Sequence, residues 1–155
     1  MSSLRQQRRQ SSAGYSLLEM LVVIAILALV ATIALPQLAK PSDSLRLKAT
    51  ARELHGSLRL TRSAAIARSR DLVFVIDADR RTFESPVVPL KMFAADIDAQ
   101  LTVAEPERVT PSRGGFRFFA DGSSTGGDLV LRLRNNEVKI CVNWLTGEPQ
   151  DGTAC

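Results

Sequence analysis

A long apolar segment near the N-terminus constrains this chain more than any other feature of its sequence. The segment runs from Gly14 to Leu35 and reads GYSLLEMLVVIAILALVATIAL. It follows a leader, residues 1–14, that carries three arginines and no acid, and its only acidic or basic side chain is Glu19. An ionised carboxylate in hydrocarbon costs about 2.5–3.5 kcal/mol. The position of Glu19 therefore indicates a functional role and raises the question of its partner, since an ordinary anchor has little use for such a charge.

The apolar segment has the length of a membrane-spanning helix. From Tyr15 to Leu35 an α-helix would cover about 31 Å, close to the thickness of the hydrocarbon core. The basic leader would keep the N-terminus in the cytoplasm and send the rest of the chain outward. An uncleaved anchor and a secretory signal peptide stay open as alternatives, although residues 29–31 form a poor cleavage site for the latter.

This N-terminal pattern resembles that of type IV prepilins and of the pseudopilins of type II secretion. The resemblance implies that a prepilin peptidase cuts after Gly14 and methylates the new terminus, Tyr15. It also implies that Glu19 pairs with the terminal amine of a neighbouring subunit during filament assembly. Tyr15 and Ser16 stand where the family usually has Phe and Thr. Pro36 matches a proline that is frequent in these helices, where we expect a kink or simple helix termination.

Length and composition fit one small exported domain on a stalk. The chain has 155 residues. We expect a cleaved leader at 1–14, a transmembrane and assembly helix at 15–41, and a periplasmic domain at 42–155. Loss of the leader would lower the formal charge from +4 to about +1, so net charge does not indicate a polyanionic partner.

An amphipathic helix is predicted over residues 45–70, capped by Ser42 or Asp43. Its apolar stripe recurs at spacings of three and four and comprises Leu47, Ala51, Leu54, Leu58, Thr61 and Ala65. A basic row well off that stripe comprises Lys48, Arg52, Arg59 and Arg70. The row is either a solvated flank or a contact surface for acidic neighbours or anionic lipid. The only histidine, His55, lies beside the stripe without a metal or catalytic motif.

After this helix the period of the pattern changes to that of β-strands, over residues 72–155. The unbroken apolar run 72–76 predicts a strand covered on both faces, and a turn at 77–80 leads into a hairpin partner at 82–84. Residues 86–96 and the segment around Pro106 and Pro111 are predicted to be loops. Further strands are expected at 101–103, 116–118, 130–134 and 137–144. Asn135-Asn136 is expected to form the turn between the last two.

A glycine-rich segment, Asp121-Gly122-Ser123-Ser124-Thr125-Gly126-Gly127, precedes the last hairpin. It lacks the spacing of a Walker A phosphate loop, and it has too few oxygen ligands for a convincing calcium site with Asp121 and Asp128. We interpret it as a structural connection between strands.

This segment, the aromatic Phe118 before it and the ending Trp144-Leu145-Thr146-Gly147 resemble the C-terminal half of the GspH/FimT family. The resemblance implies a pilin-like α+β fold, in which a long N-terminal helix packs on an antiparallel sheet domain. It implies a minor pseudopilin of type II secretion, near the tip of the pseudopilus, which helps export folded proteins. A FimT-like minor pilin of type IV pili is the alternative. Other filament subunits, the prepilin peptidase, the inner-membrane assembly platform and a secreted substrate are the partners that it suggests.

DNA uptake, known for some FimT-like pilins, is disfavoured because the C-terminal tail contains two acids and no arginine after Arg134. Cys141 and Cys155 are predicted to form one disulfide in an oxidising periplasm; two free thiols are the alternative. No cofactor or metal is expected. Catalysis is also not expected, because the one histidine lacks a nucleophile motif. The acids at 77/79 and 96/98 occupy turns or loops where acids are common.

Overall fold

The structure, a computed structural model, describes residues 16–38 and 41–152, and for 33–38 it describes the backbone alone. The chain forms two compact units, Met1–Pro41 and Ser42–Cys155. The first contains helix α1, Leu17–Leu38. The second contains helix α2, Asp43–Ala67, and, within residues 42–152, nine strands. The strands are β1 Leu72–Asp77, β2 Thr82–Ser85, β3 Val88–Met92, β4 Asp98–Val103, β5 Arg108–Thr110, β6 Arg113–Phe118, β7 Gly127–Leu133, β8 Asn136–Val142 and β9 Pro149–Asp151.

The strands form two antiparallel sheets, where the sequence predicted one sheet domain. The five-stranded sheet has the order β3-β2-β1-β6-β5, and the four-stranded sheet has the order β4-β7-β8-β9. Helix α2 contacts strands of both sheets, so the core lies between the helix and the two sheets. This is the predicted α+β class.

The apolar stripe of α2 packs into this core as the sequence predicted. All six predicted residues are buried, and Ser57 joins them. Opposite them lie buried side chains of both sheets, among them Phe74, Phe83 and Leu129. The rings of Phe74 and Phe83 stack with centroids 5.7 Å apart. Burial of apolar side chains is worth about 1.5–3 kcal/mol each, so this stripe anchors the helix to the sheets.

Helix α2 begins as predicted but ends earlier than residue 70. The Ser42 hydroxyl accepts a hydrogen bond from the Leu45 amide, which confirms the predicted cap. At the other end Ser69 adopts a positive φ of 48°. The amide of Ser69 bonds to the Ile66 carbonyl and that of Arg70 to the Ala65 carbonyl. These are the two bonds of a Schellman motif, which closes the helix at Ala67.

Strand β1 is covered differently from the prediction. Leu72, Phe74 and Ile76 are buried, whereas Val73 and Val75 are half-buried. The expectation of a strand buried on both faces is therefore wrong, because β-branched residues on a half-exposed face give the same apolar run as a strand that is covered on both faces. The hairpin from β1 to β2 is confirmed by the pairing of Asp77 with Thr82.

Two segments predicted as loops contain strands. Strand β3 lies within 86–96 and includes Pro89, and β5 lies between Pro106 and Pro111. Both strands are at the edges of the five-stranded sheet, where a proline without an N–H is tolerated. The prediction failed there because proline excludes a residue only from strands that are paired on both sides.

The last hairpin and the tail differ from the predicted register. Leu133 pairs with Asn136, so Arg134-Asn135 forms the turn, and Arg134 takes the positive φ of 54°. The prediction of Asn135-Asn136 is therefore wrong by one residue. Strand β9 was not predicted. It pairs with β8 and places Pro149 opposite Val142.

Candidate functional site

The sequence predicted a processing and assembly site around Glu19, and the structure describes part of it. Gly14 and Tyr15 lie outside the described residues. Glu19 lies in the first turn of α1, and its amide donates to the Ser16 carbonyl at 3.0 Å. A carboxylate is favourable there because the helix dipole is positive at its N-terminus. Glu19 therefore favours the start of α1, in addition to its predicted role in assembly.

The described side chains of α1, residues 17–32, are all exposed in the chain taken alone. Among residues 16–32 and 41–152, whose side chains are described, no helix is both long and apolar enough to cross a bilayer. The backbone of α1 stays helical past Pro36 to Leu38. The simple alternative, that the helix terminates at this proline, is therefore wrong, and the kink stays a prediction.

The glycine-rich loop after β6 is held by hydrogen bonds to the rest of its own domain. The Asp121 carboxylate accepts from the amide of Ser123 at 2.9 Å and from its hydroxyl at 2.6 Å. These bonds, chiefly the one from the hydroxyl, hold the pKa of Asp121 below its ordinary value. The Thr125 amide donates to the Arg117 carbonyl at 3.0 Å, and the Thr125 hydroxyl accepts from the Arg117 amide at 3.1 Å.

The loop has no unused amide with which to bind a phosphate between Gly122 and Gly126. Each of these five amides donates to an acceptor in the protein, as backbone and side-chain bonds at 2.9–3.0 Å. The possible calcium ligands are also engaged, because Asp128 pairs with the Lys139 ammonium at 3.0 Å. In the described part of the chain, no three metal-ligating side chains lie together. The loop is a structural connection, in agreement with the interpretation of its sequence.

The second part of the motif, residues 144–147, packs directly on this loop. The Ser124 amide donates to the Trp144 carbonyl at 2.9 Å, and the Ser124 hydroxyl donates to the Asn143 carbonyl at 3.1 Å. The Asn143 side chain accepts from the amides of Leu145 and Thr146 at 2.9 and 3.0 Å. The two motif segments, which are separated by strands β7 and β8, are therefore joined by hydrogen bonds into one joint.

Helix α2 ties this joint to the core through Arg62. Its Nε donates to the carbonyl of Gly122 at 3.0 Å and to that of Thr146 at 2.9 Å. Glu148 accepts from Arg59 and lies 3.7 Å from Arg62. Sequence reasoning missed Arg62 and Asn143. Nothing in the sequence indicates that Arg62 binds distant backbone carbonyls or that the Asn143 side chain accepts from amides of the turn.

The conformation and close contacts of residue 147 explain why this position of the motif is a glycine. Gly147 has φ +65°, and a Cβ at this position would lie 2.2 Å from the Gly122 carbonyl oxygen and 3.0 Å from Nε of Arg62. A side chain would push the two segments of the joint apart. Trp144 and Leu145 lie on the outside of the joint and are 66% and 65% exposed.

Cys141 is fully buried, on the face of β8 opposite Ile140 and Val142. It is disulfide-bonded. Its predicted partner, Cys155, lies outside the described residues, and the pairing of these two cysteines stays a prediction.

The acids considered for catalysis serve turns and ion pairs. Asp77 accepts from the Arg80 amide at 2.9 Å, and Asp79 accepts from the Ser112 hydroxyl. Asp96 makes a two-point ion pair with Arg46 at 2.7 and 2.9 Å. These contacts are typical of structural acids, as the sequence indicated for Asp77, Asp79 and Asp96. Asp98 lies in strand β4, so the expectation that it occupies a turn or loop is wrong.

Comparison with known proteins gives matches over nearly the whole chain. Residues 50–147 match the family described as Type II transport protein GspH, and residues 9–35 match the prokaryotic N-terminal methylation motif. The type II secretion system protein H of Xanthomonas campestris pv. campestris is 35% identical over 144 residues, which cover 93% of this chain and 85% of that protein.

Solved structures share the fold at low identity. The minor pseudopilin EpsH of the Vibrio cholerae type 2 secretion system matches with a TM-score of 0.57 at 14% identity, over 74% of this chain and all of that chain. The type IV minor pilin FimU of Pseudomonas aeruginosa matches with a TM-score of 0.55 at 16% identity, over 69% of this chain and 88% of that chain. The fold is therefore pilin-like, and it does not by itself separate the two kinds of filament.

Proposed function

Because the chain belongs to the GspH family of type II transport proteins, we propose that it is a minor pseudopilin of a type II secretion system. The observation that carries this proposal is the pairing of two matches in one chain, GspH over residues 50–147 and the N-terminal methylation motif over 9–35. The identity of 35% to a type II secretion system protein H, over 93% of the chain, supports the same assignment.

Processing of the precursor is the first step of the proposed mechanism. A prepilin peptidase cuts after Gly14, removes the leader 1–14 and methylates the amine of Tyr15. The basic leader keeps this end in the cytoplasm, and residues 15–41 anchor the chain in the inner membrane. The domain 42–155 then lies in the periplasm. The methylation motif at residues 9–35 supports this arrangement.

Glu19 drives the assembly step in this proposal. Its carboxylate, in an otherwise apolar helix, is costly in lipid unless a cation pairs with it. The new amine of Tyr15 on a neighbouring subunit is a cation that can lie at the same depth in the membrane as the Glu19 carboxylate. This amine exists only after cleavage. Processing thereby controls when α1 can leave the lipid and join the helical core of the pseudopilus, with help from the assembly platform of the inner membrane.

The globular domain acts in this account as a structural subunit and not as an enzyme. The matched family is that of the type II transport protein GspH. Of the acids considered for catalysis, Asp77, Asp79 and Asp96 are engaged in turns, a hydrogen bond and an ion pair. Its surface is proposed to contact other pseudopilins and, near the tip, a secreted protein.

A minor pilin of type IV pili is the competing function, supported by the similarity to FimU and by the disulfide form of Cys141. The tail gives no support for DNA capture, because Glu148 and Asp151 are acidic and the described tail after β8 has no lysine or arginine.

Phenotypes of a deletion strain of the native host test the proposal. We expect loss of secretion of folded proteins, with surface twitching retained, and restoration by the wild-type gene. The variant Glu19→Val should be processed but fail to restore secretion, whereas Ser63→Val, an exposed change on α2, should restore it. Loss of twitching with normal secretion would instead identify a type IV pilin.

A further inference from the structure

The basic side chains of α2 include both paired and unpaired cations. Arg46 pairs with Asp96, and Arg59 and Arg62 pair with Glu148. Lys48 and Arg52 are exposed and have no acid within ion-pair distance among the described residues. They are four residues apart on one helix face, where like charges repel and destabilise a helix slightly. The described residues of their own domain therefore leave this pair of charges without an ion-pair partner.

The two cations line one wall of a groove of about 430 Å³ between α2 and the end of the four-stranded sheet. The apolar surface of the groove comes from Ala51 and Val138, of which Ala51 is buried and Val138 half-buried. A groove with an apolar floor and a charged wall fits a side chain or chain segment of a protein, which buries apolar atoms and places a charge at the rim.

The other charges of the groove are almost all satisfied. Glu137 is paired with Arg132 at 2.7 Å, and Lys139 with Asp128 at 3.0 Å. Asp151 on the strand wall is the remaining acid. The groove thus offers two unmatched positive charges on the helix wall and one negative charge opposite them.

This arrangement favours an acidic protein segment over a membrane. A bilayer is broad, and its anionic head groups would meet Asp151 and Glu137 as well as the two cations. A single segment with a carboxylate on one side can face Lys48 and Arg52 and avoid the acidic wall.

We propose that the groove formed by Lys48, Arg52, Val138 and Asp151 receives an acidic segment of a neighbouring subunit in the filament. This inference rests on the proposed function, because the neighbour is a pilin-like subunit. It assigns to Lys48 and Arg52 a role in subunit contact, and it leaves the paired arginines of α2 with a role in stability.

Crosslinking in the native host tests the inference with the full-length protein. A photoreactive amino acid at position 48 should give a crosslink to another pilin-like subunit, at a peptide that contains Asp or Glu. Arg52→Glu should lower the yield of this crosslink by about tenfold, since opposed like charges at an interface weaken association strongly. Reversal of the contacted acid to lysine should restore the yield in the Arg52→Glu background.

Two matched variants complete the test. Arg70→Glu makes the same charge change on an exposed residue outside the groove and should leave the yield unchanged. Arg52→Lys keeps the charge and should retain most of it. Equal loss in Arg70→Glu, no loss in Arg52→Glu, or crosslinks to lipid alone would each overturn the inference. A chain that is processed and required for secretion, but shows one of these results, would contradict only the groove and leave the proposed function standing.

Discussion

The two helices of this chain are similar in length, with 22 residues in α1 and 25 in α2, but they use their apolar side chains in opposite ways. On α2 the apolar side chains form one stripe, and Leu47, Leu54 and Leu58 are fully buried under the two sheets. On α1 they surround the helix, and Leu27 is 62% exposed in the chain alone. A helix that is apolar all round must be buried by something outside its own domain.

This difference shows which parts of the sequence serve the fold and which serve assembly. The apolar stripe of α2 is buried within the globular domain, so changes there should alter the stability of that domain. In the proposed function the apolar side chains of α1 are buried by lipid or by other subunits, so changes there should alter processing and assembly. The experiments below separate these two effects, in order of decreasing expected size.

Gly14→Val should abolish processing, because the proposed cleavage site requires the glycine. We expect the full-length precursor to accumulate in membranes, with no shortened chain on immunoblots. Ser11→Val, a similar change inside the leader, should be processed normally. A Gly14→Val chain that is shortened like the wild type would remove the basis for the leader assignment.

Leu54→Ala should lower the free energy of unfolding by about 2–5 kcal/mol, since it opens a cavity in a packed core. Leu27→Ala removes the same atoms from α1 and should leave the unfolding of the globular domain unchanged. Urea titration of the purified full-length protein in detergent, followed by circular dichroism, measures both. Equal losses would mean that α1 is part of the same core.

Gly147→Ala and Gly56→Ala should change stability in opposite directions. The first places a Cβ 2.2 Å from the Gly122 carbonyl oxygen at a positive φ and should cost at least about 1–2 kcal/mol. The second adds a Cβ that has no heavy atom within 4 Å in the middle of α2, and it should stabilise by about 0.5–1 kcal/mol. The same urea titration tests both, and a stabilising Gly147→Ala would contradict the close contacts of the joint.

Asp96→Asn should have a small, pH-dependent effect. The hydrogen bonds from Arg46 hold the pKa of Asp96 below its ordinary value of 3.8. A carboxyl with a lowered folded-state pKa stabilises the protein above the unfolded-state value, and this contribution is lost as the pH falls through the folded-state pKa. We expect wild type to have the higher Tm at pH 6 and the difference to shrink below pH 3.8.

Asp98→Asn is the control for this experiment, because Asp98 forms no ion pair within 4 Å among the described residues. A difference between wild type and Asp96→Asn that persists unchanged at low pH would show that the effect does not come from the charge.

The sequence predicted those features that depend on local periodicity. The stripe of α2, its Ser42 cap and the β1–β2 hairpin follow from the spacing of apolar residues and from turn residues. The structural nature of the glycine-rich loop was also predicted, since it lacks the spacing of a phosphate or metal site.

Features that depend on contacts between distant residues were not predictable in this way. Strand β3 tolerates a proline within it, and strand β5 tolerates prolines on both sides, only because both strands lie at sheet edges. Whether a strand lies at an edge depends on the topology of the sheet. Ser69 closes α2 without the glycine that usually signals a C-cap. Arg62 connects the two motif segments through backbone carbonyls, which every residue has, so its partners leave no trace in the sequence.

The mass of the mature protein, purified from membranes of its native host, tests the central claim most directly. The account predicts a chain that begins at Tyr15, with a methyl group on its amine. An intact chain that begins at Met1 or Ser2 would make this a static anchored domain and would contradict the proposed assembly of α1 into a filament.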